Sequence, residues 1–127
     1  MKIIDCLNMQ QTLTNIVNQK IAFSLAYKLS KLTKVVEDNL TYYYSSVREL
    51  LNEYGQKDEN GELVEDGADS IKLIPERANE FYDKISELQN VEIADTIPIF
   101  TIEEFDDKIE LTTIEFNSIM PIFSIEE

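Results

Sequence analysis

From Ile21 onward, apolar residues recur at Leu25, Leu29, Leu32, Val36, Leu40, Tyr43, Val47, Leu50 and Tyr54, at spacings of 4, 4, 3, 4, 4, 3, 4, 3 and 4. Such a series marks one stripe along a helix, close to a repeat of about 3.5 residues. Neither Pro nor Gly interrupts residues 9–54. A helix from about residue 19 to 54 is therefore predicted, roughly 50 Å long at about 1.5 Å per residue. That is long for a chain of 127 residues folding as one domain. It predicts a kink or a second helix lying along the first. Upstream, "MQQTLTNIVNQ" sets Met9, Leu13, Ile16 and Val17 on one face of a shorter first helix, with "NQK" at 18–20 as the junction.

Beyond Tyr54 the chain turns back and supplies a partner for the stripe. Gly55 comes directly after Tyr54, where a glycine in the left-handed conformation commonly ends a helix. Asn60-Gly61 signals a hairpin turn, and "IKLI" at 71–74 reads as extended before Pro75. Pro75 and Glu76 suit a first helical turn. Ala78, Phe81, Tyr82, Ile85 and Leu88 then give an apolar face to a helix ending near Gln89, placed to return antiparallel to the long one. "VEI" at 91–93 alternates like a short strand. Thr101 with Glu104, and Thr112 with Glu115, are capping-box pairs that predict helices near 102–107 and 113–120. Phe105, Phe116, Ile119 and Met120 should face inward.

The expected fold class is mainly α (α+β): a long helix with an antiparallel helical partner, a small β-hairpin insertion and short C-terminal helices. The chain reads as one domain, 1–127. Its parts are a helical scaffold (1–54), a hairpin or extended insertion (55–74) and an acidic helix with a C-terminal segment (75–127).

Charge divides the chain at the same place. Net charge is −14. Residues 1–54 hold five acids and six bases, a net of +1; residues 55–127 hold the other 20 acids and five bases, a net of −15. An acidic surface repels nucleic-acid phosphates and anionic membranes, so direct nucleic-acid binding is disfavoured. A basic protein partner or simple solubility accounts for the acidity. The single cysteine, Cys6, makes no internal disulfide and suits a reducing compartment as a small buried group. The start of the chain lacks the pattern of a signal peptide, and no apolar run approaches the roughly 18 residues of a membrane span.

Chemistry-bearing motifs are few. With no histidine, the commonest general base and metal ligand is missing. No phosphate loop is formed by the glycines. The stretch "GQKDENGELVEDG" at 55–67 draws on the residues of a calcium loop. Counted from Asp58, however, position 6 is Leu63 where a glycine is needed, and position 12 is Asp69 in place of glutamate. A polar turn is the better reading. Glu103-Glu104 and Asp106-Asp107 pair carboxylates as magnesium sites do, yet a solvated helix face accounts for them. No catalytic residue, cofactor-binding residue or metal ligand is assigned.

Tyr42, Tyr43 and Tyr44 step about 100° apart around a helix, so they cannot all face one way. Tyr43 lies on the stripe. The simplest expectation packs Tyr42 and Tyr44 under the returning helix; left exposed, they are interface anchors. Together with Asp58, Glu59, Glu62, Glu65, Asp66, Glu103, Glu104, Asp106 and Asp107 they form the candidate partner surface. The near-heptad stripe also leaves a homodimer open.

Blocks "KIAFSLAYKLSKL", "LLNEYGQKDENGELV", "FYDKISELQNVEI", "IEEF" and "LTTIEFNSIMPIF" succeed one another along the chain. In that order they resemble small acidic proteins of tailed phages and prophages, a family of unknown function. The resemblance implies a phage origin, in the host cytoplasm or the virion; with the absence of catalytic groups, the expectation is a non-enzymatic protein. Its partner would be a phage structural protein or a basic host protein. It carries no site residues. A virion or assembly accessory role is the first expectation. An anti-defence inhibitor that mimics nucleic acid is the second.

Overall fold

Helices dominate the computed structural model, which describes residues 1–67, 70–106 and 109–123. In chain order they are α1 (Ile3–Val17), α2 (Phe23–Tyr54), α3 (Ala78–Gln89), α4 (Ile102–Phe105) and α5 (Thr113–Ile119). Single 3-10 turns occupy Pro75–Arg77 and Met120–Ile122. The chain groups into two compact units, Met1–Leu40 with Glu92–Glu127, and Thr41–Val91. The long helix α2 contributes its first part to one unit and the rest to the other.

In the first unit, α1 begins earlier than its apolar pattern predicts because Asp5 accepts a hydrogen bond from the Lys2 amide at 2.8 Å, satisfying a free end. Cys6, Met9, Leu13 and Ile16 are buried with Leu25, Leu29, Leu32, Val36 and Leu40 of α2. Val17, expected on that face, is 49% exposed, since the buried side of α1 turns through Ile16. Burial raises the Cys6 thiol pKa, as expected for a small apolar-site cysteine. Phe100, Phe105 and Phe123 close the core with edge-on rings 5.8 and 5.1 Å apart. Helix α5 lies on α1, with Thr12 and Ser118 hydroxyls 2.6 Å apart and the Asn15 amide donating to Glu115 at 2.9 Å. Glu115 also accepts from the Thr112 amide, and Thr112 accepts from the Glu115 amide, both at 3.1 Å. The second capping box is thus complete. At α4 the Thr101 amide donates to Glu104 at 3.0 Å.

In the second unit the predicted antiparallel pair forms. Near the end of α2, Tyr54 meets Phe81 of early α3 with ring centroids 6.2 Å apart. Earlier on α2, the Tyr43 hydroxyl accepts from Gln89 at the end of α3, at 3.1 Å. Arg77 stacks its guanidinium 4.3 Å from the Tyr54 ring centre.

Two strand expectations need correction. Among the described residues no strand forms: "VEI" contributes one bridge, Glu92 to Lys2, and residues 55–74 make no hairpin ladder. Instead that segment closes into a triangle. The Val64 amide donates to the Gln56 carbonyl, Gln56 to Lys72 and Lys72 to Val64, at 2.9, 2.7 and 2.9 Å. The donors are eight residues apart. In the bridged pairs Lys57–Leu63, Glu65–Ile71 and Leu73–Gly55, positions 57, 65 and 73 on one side and 55, 63 and 71 on the other are again eight residues apart. Each leg changes partner after one bridge, so no pair runs long enough to be a strand. The ring still satisfies these backbone groups internally. Asn60-Gly61 does turn the chain, with Gly61 at φ 80°.

Gly55 ends α2 for a reason other than the expected cap. Only Gly61 and Gly67 have positive φ. A Cβ on Gly55 would lie 2.5 Å from the Leu51 carbonyl oxygen, 2.7 Å from Leu63 Cδ2 and 3.0 Å from Ile71 Cγ2. Leu63 and Ile71 are its counterparts one and two steps along the triangle. Gly55→Ala should therefore destabilise the protein by about 1–3 kcal/mol through overpacking. Chemical denaturation against wild type measures it; an unchanged midpoint would show that the triangle has room.

Candidate functional site

A groove opens between α2 and α3 in the second unit, with a volume of about 330 Å³. Ser46, Glu49, Leu50 and Glu53 line it from α2, at the three- and four-residue steps of one helical face. Lys84, Glu87, Leu88 and Val91 line the other side in the same register. Leu50, Leu88 and Val91 give an apolar floor, and three carboxylates face one ammonium around it. Glu53 lies 3.6 Å from the Arg77 guanidinium, and Lys84 lies 3.7 Å from Glu87. The arrangement suits an apolar side chain carried between basic ones. Sequence reasoning missed these positions. Glu49 and Glu53 flank Leu50 on the stripe, a signal that becomes informative only once α3 supplies the facing wall.

The predicted partner surface divides between the two units. Tyr42 and Tyr44 are exposed at 59% and 48%, contrary to packing under the returning helix. Tyr44 leans edge-on against Tyr43 at 5.5 Å. Glu59, Glu62, Glu65 and Asp66 lie on the triangle, and all four are exposed. Asp58 is engaged there: its Oδ1 accepts from the Asn60 and Glu62 amides at 2.8 and 3.0 Å. This oxygen shapes the turn, as aspartate does at such positions. In the first unit Glu103 and Asp106 are exposed, whereas Asp107 lies outside the described residues.

Glu104 is a structural residue. Both of its carboxylate oxygens lie 2.9 Å from Lys28 Nζ, and Oε1 also caps Thr101. Lys28 further donates to the Ile99 carbonyl and sits 4.7 Å from the Phe100 ring centre. The Lys28 hydrogen bond, opposed by burial and aided by the Thr101 amide, holds the Glu104 pKa below the usual carboxylate range. Among the described residues no cluster of three His, Cys, Asp or Glu side chains is arranged to hold a metal. No described helix is long and apolar enough to cross a membrane.

Compared with known proteins, the chain matches no family model, no curated protein and no solved structure.

Because the folded-state pKa of Glu104 is depressed, its contribution is present above the unfolded value of about 4.3 and is lost as pH falls through the folded one. Lys28→Met should cost about 1 kcal/mol at neutral pH, with both partners about a third exposed. It should also make stability fall less steeply below about pH 4.3. Urea midpoints across that range test this; parallel curves for variant and wild type would remove Glu104 as the titrating group.

Proposed function

We propose that this protein works without catalysis, by binding a basic segment of another protein in the groove between α2 and α3. One observation carries the proposal: the apolar floor of Leu50, Leu88 and Val91 lies among Glu49, Glu53 and Glu87. Apolar burial supplies affinity there, while the carboxylates select basic partners and speed their encounter. Exposed Tyr42 and Tyr44 add anchoring groups in the same unit. In keeping with the resemblance to tailed-phage proteins, the proposed role is a phage-encoded accessory component of the virion or of its assembly. The proposed location is the host cytoplasm or the particle.

A second reading is favoured by the net of −15 over residues 55–127. In it, acidic side chains imitate a phosphate backbone and occupy the nucleic-acid groove of a basic host defence or regulatory protein.

Glu49→Lys with Glu87→Lys should weaken partner binding at least about tenfold, or about 1.4 kcal/mol. The wild-type complex should lose affinity with salt more steeply than the double variant does. Equal affinities would exclude the groove. Mass spectrometry of purified virions and assembly intermediates separates the two roles. Absence from both removes the accessory role, and competition by duplex DNA for the partner supports mimicry.

A further inference from the structure

The first unit contains a larger cavity, of a different character from the acidic groove. About 770 Å³ opens between the end of α1, the connection at residues 18–22 and α2. Its apolar lining includes Val17, Ile21 and Leu29. A second cavity of about 280 Å³ shares Val17, Thr33 and Glu37 with the first and is bounded by the buried side chains of Leu13, Val36 and Leu40. The larger cavity alone falls within the range of about 300–1,000 Å³ typical of small-molecule sites, which are largely apolar with few polar groups.

The polar groups are specific. Lys20 comes from the connection and Lys34 from α2, where it makes an exposed pair with Asp38 at 3.3 Å that a ligand carboxylate would replace, in a chain whose net charge is −14. Glu37 is the one acid in the lining, leaving the cavity a net of +1. Thr33, which lines both cavities, has a hydroxyl oxygen buried from solvent without a hydrogen-bond partner. It is the one such side-chain atom among the described residues.

We propose that the α1–α2 cavity binds a free single-chain anionic amphiphile of the fatty-acid class. Its carboxylate meets Lys20 and Lys34, and its acyl chain runs along the apolar lining into the narrower cavity. The proposal stands apart from the acidic groove and would survive that groove's failure.

Laurate, titrated below its micellar concentration, is the probe, with displacement of a fluorescent fatty-acid analogue and thermal shift as readouts. One saturable site per chain and a raised melting temperature are expected, because binding to the native state alone stabilises it. Ser30, an exposed residue of the lining, tolerates a large side chain without disturbing the core; Ser30→Trp should abolish binding with helix content unchanged. Lys20→Glu with Lys34→Glu should weaken laurate at least about tenfold and leave the neutral dodecanol nearly unaffected. The proposal is overturned by non-saturable binding, by laurate binding that persists in Ser30→Trp, or by dodecylamine binding as tightly as laurate. It is also overturned if the protein co-sediments with anionic phospholipid vesicles while free laurate does not compete, since the ligand would then be a membrane surface.

Discussion

Every part of the molecule answers to the apolar stripe of α2. Leu25, Leu29, Leu32, Val36, Leu40, Tyr43 and Tyr54 are all buried, and no single partner helix covers them. Fully burying one such side chain gains about 1.5–3 kcal/mol, so leaving either half of the stripe in water would forfeit an amount comparable to a small domain's net stability. The chain uses two solutions. In the first unit α1, α5 and a cluster of phenylalanines cover the early stripe. In the second, α3 returns along the late one. The change from leucine to tyrosine along the stripe matches this division. The leucines meet an apolar core, whereas Tyr43 and Tyr54 place ring and hydroxyl against a thinner layer with polar neighbours such as Gln89 and Arg77.

The same division separates two kinds of surface. Near the start of α2, lysines border an apolar cavity. Near its end, glutamates surround an apolar groove. Acidity is therefore not spread as a uniform solubilising coat. Some carboxylates are committed to structure: Asp5 to the start of α1, Asp58 to a turn, Glu104 to Lys28 and Glu115 to its cap. Glu49 and Glu87 lie beside apolar groups that line an open groove, with Lys84 3.7 Å from Glu87.

Helices were legible in the sequence because their signals are local. The stripe, Pro75 and the two Thr-x-x-Glu pairs each act within a few residues, and α2, α3, α4 and α5 lie close to where they predict. Residues 55–74 were not legible in the same way. Their repeat of eight residues lies in the backbone hydrogen bonds of Gln56, Val64 and Lys72, while the corresponding interior side chains are as unlike as Gly55, Leu63 and Ile71. A turn signal identifies where the chain reverses but not how many legs share the pairing. For the candidate site, the sequence marked exposed acids at 58–66 and 103–106 but none of those that border the groove. It named Glu104 as the cap of Thr101 but not the lysine, 76 positions away, that also holds it.

By itself, the sequence determined the long helix, its returning partner, the capped C-terminal helices and the concentration of charge in the second half. These depend on periodicity, cap chemistry and composition, which act along the chain. Beyond the two cap glutamates, the tertiary structure alone decided which carboxylates are structural and which border a groove. It also decided that Gly55 is needed for space and not for its backbone angle. A groove needs two walls, and a forbidden Cβ needs a neighbour to strike. Both are supplied by residues distant in sequence, and only folding brings them together.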